Sequence, residues 1–154
     1  AVVVGAPAVS EPPPSGQRTA SDRLLNLSSR AFVSGTEQPL ISGFVVGGNK
    51  SRRLLIRAVG PALAGFGVAN ALPDPVLLVT NSAGAPVAGN DSWQTDANAV
   101  LTLSAILQVG AFPLSAGSKD AAVVVNLPAG NYTAQVTGGT GTSGQALLEI
   151  YELP

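Results

Sequence analysis

The chain of 154 residues contains no cysteine, no histidine and no methionine. The usual ligands for structural zinc, haem, copper and iron–sulfur clusters are therefore missing, as are Cys–His nucleophiles, Ser–His–Asp triads and histidine proton shuttles. No disulfide can form, so stability has to come from packing or from partners. Charge is scarce too: 11% of residues are charged, the formal net charge is −1, and the eight Lys and Arg are scattered apart from Arg52-Arg53. That distribution neutralises no row of phosphates and argues against a nucleic-acid partner. Apolar residues make up 45% of the chain, but Gly, Pro, Ser or Asn interrupts each run well short of the ~20 residues a membrane span needs.

What is present is β-prone sequence in short pieces cut by turn residues. Residues 121–127, 132–137 and 146–151 are separated by Pro128-Ala129-Gly130-Asn131 and by a glycine-rich stretch at 138–144. This spacing predicts a three-strand antiparallel meander. Tyr132, Ala134 and Val136 alternate with Thr133, Gln135 and Thr137, so one face is buried and one is wet, and a second apolar layer must cover it. Upstream, residues 23–33, 39–46, 52–59 and 76–80 read as further strands, with a short one at 86–88, divided by turns such as Gly47-Gly48-Asn49-Lys50 and Asn81-Ser82-Ala83-Gly84. Residues 60–72 are apolar but broken by Gly60, Gly65 and Gly67, which suits a packed loop with a short helical turn. Residues 95–109 predict one short helix, with Thr95 as cap, Asp96 at its positive end, Val100, Leu103, Ile106 and Leu107 at helical spacing, and Gly110 as stop. Such a helix is expected to plug one end of the sandwich. The fold class is all-β: a jelly-roll-like antiparallel sandwich with one short helix and an extended N-terminal arm.

One domain, at 22–154, follows an arm at 1–21. The arm carries Val2, Val3, Val4 and Val9, then Pro12, Pro13 and Pro14, which form a polyproline spacer that cannot join a sheet interior. A disordered processed end is one reading of it. If ordered, the arm must lie against its own domain or another copy, and strand addition at a neighbour's sheet edge is the direct way. Ala1 followed by small residues is what signal-peptide removal leaves, so export is expected.

The ordered series Asp74-Pro75-Val76-Leu77-Leu78-Val79, Asn81-Ser82-Ala83-Gly84, Gly89-Asn90-Asp91, Leu127-Pro128-Ala129-Gly130-Asn131-Tyr132-Thr133 and Leu147-Leu148-Glu149-Ile150-Tyr151 resembles bacterial pre-peptidase C-terminal domains. Residues 54–61, 109–112 and 117–122 extend the resemblance to a subfamily of secreted bacterial β domains over about 23–151. It implies a jelly-roll-like sandwich on an exported protein and no catalytic activity, since such domains serve as accessories that bind surfaces, polymers or calcium. Unlike them, this sandwich is expected to be the whole mature product, because no catalytic domain precedes it.

Candidate site residues are few. Asn90 and Asp91, with Asp96, form a candidate calcium loop, and Asp120 is another loop carboxylate; turn and cap duty is the alternative reading for each. Trp93, with Tyr132 and Tyr151, is a candidate for sugar stacking, against a core or interface anchor. Asn26, Asn49, Asn90 and Asn131 sit in glycosylation-type triplets, and the Thr- and Ser-rich stretch 137–143 is a further candidate for a glycan. No other cofactor is implied, and the chain is not expected to be an enzyme. The expected function is a structural subunit of an extracellular bacterial filament or surface assembly, polymerising as a homo-oligomer through arm exchange at Val2, Val3, Val4, Val9 and Pro12-Pro13-Pro14. The alternative is a secreted accessory domain that binds calcium, polysaccharide or another cell-surface polymer.

Overall fold

A computed structural model describes residues 25–95 and 99–154. Its strands are β1 (Asn26–Ser34), β2 (Leu40–Val46), β3 (Arg52–Val59), β4 (Pro75–Asn81), β5 (Pro86–Asn90), β6 (Ala121–Leu127), β7 (Gly130–Gly138) and β8 (Ser143–Glu152), with a 3-10 helix at Pro61–Phe66 and α1 at Ala99–Gln108. The arm residues Val2, Val3, Val4, Val9, Pro12, Pro13 and Pro14, and Asp96 of the candidate calcium loop, lie outside the described residues.

Two four-stranded antiparallel sheets face each other. Sheet A runs β1-β8-β3-β6 and sheet B runs β2-β7-β4-β5. Among the described strands only β4 and β5 are neighbours both in the chain and in a sheet; the other connections cross between layers, which is the winding of a jelly roll. The expected meander is therefore wrong, although its three strands exist. β6 pairs with β3, β7 with β2 and β4, and β8 with β1 and β3. The reason lies in burial. β7 alternates because sheet B is wet on its outer side, whereas β3, β6 and β8 carry nearly continuous apolar runs because sheet A is covered on both faces from β8 to β6.

Between the sheets, Leu54, Ile56, Ala58, Leu77, Val79, Val123, Ala134, Val136 and Leu148 form the main core. Each fully buried Leu, Ile or Val contributes roughly 1.5–3 kcal/mol relative to exposure. A second core lies on the far side of sheet A, where Leu55, Val59 and Ala122 meet Leu63, Trp93, Ala105, Ile106 and Leu114. The body thus has a third, partial layer built from the 3-10 helix, residues 91–95, α1 and residues 109–115.

The helix belongs to that layer. It packs on β6 and β3 and does not plug an end of the sandwich. Its buried stripe is Thr102, Ala105 and Ile106, while Val100, Leu103 and Leu107, expected to face inward with Ile106, are exposed. Small residues at 102 and 105 let the helix approach the sheet closely, which the bulkier stripe would not. The buried Thr102 hydroxyl has no hydrogen-bond partner. The Thr95 hydroxyl donates to Ser92 O at 2.7 Å and closes a turn ahead of α1.

Candidate functional site

The Asn90 loop is built by hydrogen bonds that serve the fold. Asn90 Oδ1 accepts from Ser92 N and from Ala122 N, both at 3.1 Å, and Nδ2 donates to Ser92 O at 3.3 Å, so this side chain ties the end of β5 to β6. Asp91 is exposed beside it. Asp120 lies elsewhere in chemical terms: fully buried, its Oδ1 accepts from Gly60 N at 2.8 Å and Ala62 N at 3.3 Å, and its Oδ2 from Ser118 Oγ at 2.7 Å. It closes the start of the 3-10 helix, where free N–H groups favour a carboxylate. Among the described residues no three acidic side chains gather as a metal-binding group.

Trp93 is a core residue, 4% exposed, with Nε1 donating to Ser115 O at 3.2 Å and its backbone N–H to Asp120 O at 2.8 Å. Tyr132 is also buried, stacked on Phe44 at 5.5 Å between ring centres, with its hydroxyl donating to Pro128 O. Neither ring offers a face to a sugar, which corrects the stacking assignment for both.

The most concentrated chemistry, which residue spacing alone missed, sits under the third layer. Arg57 of β3 and Glu149 of β8 are directly opposite in register. Arg57 is 0% exposed; its Nε donates to Glu149 Oε2 at 2.9 Å, its second terminal nitrogen pairs with the same oxygen, and Nη1 donates to Phe112 O at 2.7 Å. The guanidinium also lies 4.4 Å from the Phe112 ring centre and 5.8 Å from that of Tyr151. The Tyr151 hydroxyl donates to Glu149 Oε1 at 2.7 Å. Burial, then the hydrogen bond and charge of Glu149, push the Tyr151 phenol up to about 12, with Arg57 pulling weakly the other way. A phenol held protonated and a carboxylate filled by an arginine can act neither as base nor as nucleophile. The network is a clamp that fastens residues 109–115 to sheet A.

The clamp has a pH signature. The phenol is raised in the folded state, so its contribution is present below its ordinary value of 10.0 and is lost as pH climbs to about 12. Stability is expected to fall across that window, and Tyr151→Phe is expected to flatten the fall. Alkaline unfolding curves of the two proteins check this, and superimposable curves would contradict it.

The sheet edges are the other site-like feature. β5 is five residues long, begins with Pro86 and pairs through an irregularity at Val79/Thr80. β6 lies under α1, and β1 carries Arg30 together with Asn26 and Ser28. β2 pairs with β7 without a break, contains no charged residue, and exposes Ile41 (55%) and Val45 (71%). The outer face of sheet B continues from there through Gln135, Leu78 and Gly89, in register with Ile41, to a shallow cleft of about 480 Å³ beside Asp91.

Comparison with known proteins places the fold. No protein-family model matches the chain, and no curated protein matches it in sequence. Among solved structures it is similar to the pre-peptidase C-terminal domain of the collagenase from Bacillus anthracis, with a TM-score of 0.50 and 12% identity over 82% of this chain and 89% of that one. The resemblance read from the sequence therefore holds at the level of the fold. No helix among the described residues is long and apolar enough to cross a membrane.

Proposed function

We propose that this chain is a non-catalytic structural subunit of an extracellular filament or surface assembly, in which the N-terminal arm of one copy adds a strand to the sandwich of another. The observation that carries the reading is the uncharged rim of sheet B, where the outer edge of β2, without a partner strand among the described residues, adjoins a face of Ile, Val, Leu, Thr, Gln and Gly. Unpaired backbone N–H and C=O groups along such an edge are a template for another strand, and natural monomers normally blunt them. The ionisable groups in the interior support the absence of catalysis, since each is already occupied by another protein group. The arm supplies a β-prone segment at residues 2–4 on a proline tether, and a head-to-tail contact of this kind propagates when its rotation does not close. Export accords with the resemblance to secreted β domains.

Deletion of residues 1–14 tests the reading. Sedimentation of the full chain is expected to give large species, and the shortened chain is expected to sediment as a folded monomer. Assembly that persists without the arm, or a full chain that stays monomeric at every concentration, would overturn it.

A further inference from the structure

We infer that the acceptor for the arm is the free edge of β2, Leu40–Val46, on a second copy of this chain, and that residues 1–9 occupy it. The inference rests on the assembly reading above and adds which of the four described edges is used. Three of them are guarded: β5 by Pro86, shortness and a register irregularity, β6 by its contact with β5 and by Asn90 Oδ1, which accepts from its Ala122 N–H at 3.1 Å, and β1 by Arg30 and its polar neighbours. Proline, irregular pairing, covering elements and charge are the devices that stop strand addition. Among the described residues β2 has none of them over its seven residues, and alternate N–H and C=O groups along it point away from β7.

The side chains of β2 match what the arm brings. Outward, Ile41 and Val45 flank Gly43, where a Cβ would meet only Tyr132 O at 3.9 Å, so the edge presents two aliphatic knobs with open space between them. Inward, half-buried Phe44 leaves the rim of the main core incompletely covered. A strand with valines at 2, 3 and 4 puts alternate methyl groups against both faces, which a polar or charged segment would not do. Neither residues 1–9 nor β2 carries a charged side chain, so no charge is desolvated on pairing.

Chain length allows the exchange. Residues 10–24 separate Val9 from Leu25, the first described residue, and these 15 residues reach about 50 Å when extended. That exceeds the roughly 35 Å width of a domain of this size. Pro12-Pro13-Pro14 favours an extended path away from the start of β1 over a tight return along it.

Absence of native cysteine makes the test clean. One preparation carries Val3→Cys, a second Val45→Cys and a third Val87→Cys on the β5 edge. Mild oxidation of mixtures is expected to couple the first with the second and not with the third. In parallel, Ile41→Lys/Val45→Lys, at exposed positions, is expected to keep the melting temperature and raise the concentration needed for assembly about tenfold or more. Coupling to Val87→Cys, or unimpaired assembly of the lysine variant when the arm-deleted chain is monomeric, would reject β2 as acceptor and leave the assembly reading standing. A monomer closed on itself by Val3→Cys/Val45→Cys in one chain would show that the occupant is the chain's own arm. Assembly of the chain lacking residues 1–14 would remove both proposals together.

Discussion

Arg57→Ala is expected to lower the folding free energy by about 3–5 kcal/mol, because it strands a carboxylate in a closed apolar layer. Glu149 is 5% exposed, and without the guanidinium its Oε2 loses both arginine contacts while the Phe112 carbonyl loses its donor. The charge has little access to water, since Glu149 is buried at the second core, against Tyr151 and below the Phe112 ring that covers Arg57. The cost belongs to the unpaired ion more than to the pair. Replacing both partners by apolar residues, Arg57→Met with Glu149→Leu, is accordingly expected to recover most of the loss, although Tyr151 then needs a new acceptor. Chemical denaturation of Arg57→Ala, of Arg57→Met alone and of the double variant checks this. Single variants within about 1 kcal/mol of the parent would mean that the clamp is solvated and does not hold the third layer.

Gly60→Ala is the second large effect, at about 3 kcal/mol. A Cβ at this position would lie 2.1 Å from Leu72 O and 3.1 Å from Leu72 C, both backbone atoms. Leu72 cannot retreat: its side chain is fully buried in the main core and its N–H donates to Gln145 O at 2.8 Å. Gly60 is also the residue whose N–H meets Asp120, so a shift there loosens the start of the 3-10 helix. Gly65→Ala, with nothing within 4 Å of its Cβ, is the matched control and is expected to be close to neutral. Equal melting temperatures for the two variants would show that the Leu72 contact is softer than its geometry implies.

The strands were legible because turn residues punctuate them, and the eight strands fall close to the stretches expected from alternation and β-branched content. Their partners were less so. Tight connections such as Pro128-Ala129 suggest hairpins, but the deciding signal was the difference between the alternating β7 and the continuous runs of β6 and β8, which assigns them to sheets with one and two covered faces. The helix misled for a related reason. It carries apolar residues on two stripes, and periodicity alone favours the larger side chains at 100, 103 and 107 over the small ones at 102 and 105 that pack. The clamp could have been read directly: Arg57 and Glu149 are single charges of opposite sign, each inside an apolar run, and such residues are seldom buried unless paired. Asn90 and Trp93 were visible as special, but only the fold reveals that their polar atoms are directed at Ala122 N and Ser115 O.

The proposed assembly requires copies of this sandwich to join through an added strand at the rim of sheet B. Negative-stain imaging of the full chain beside the Ile41→Lys/Val45→Lys variant tests this most directly. Extended fibres for the parent and isolated particles of domain size for the variant are the predicted result; isolated particles for both, or fibres for both, would contradict it.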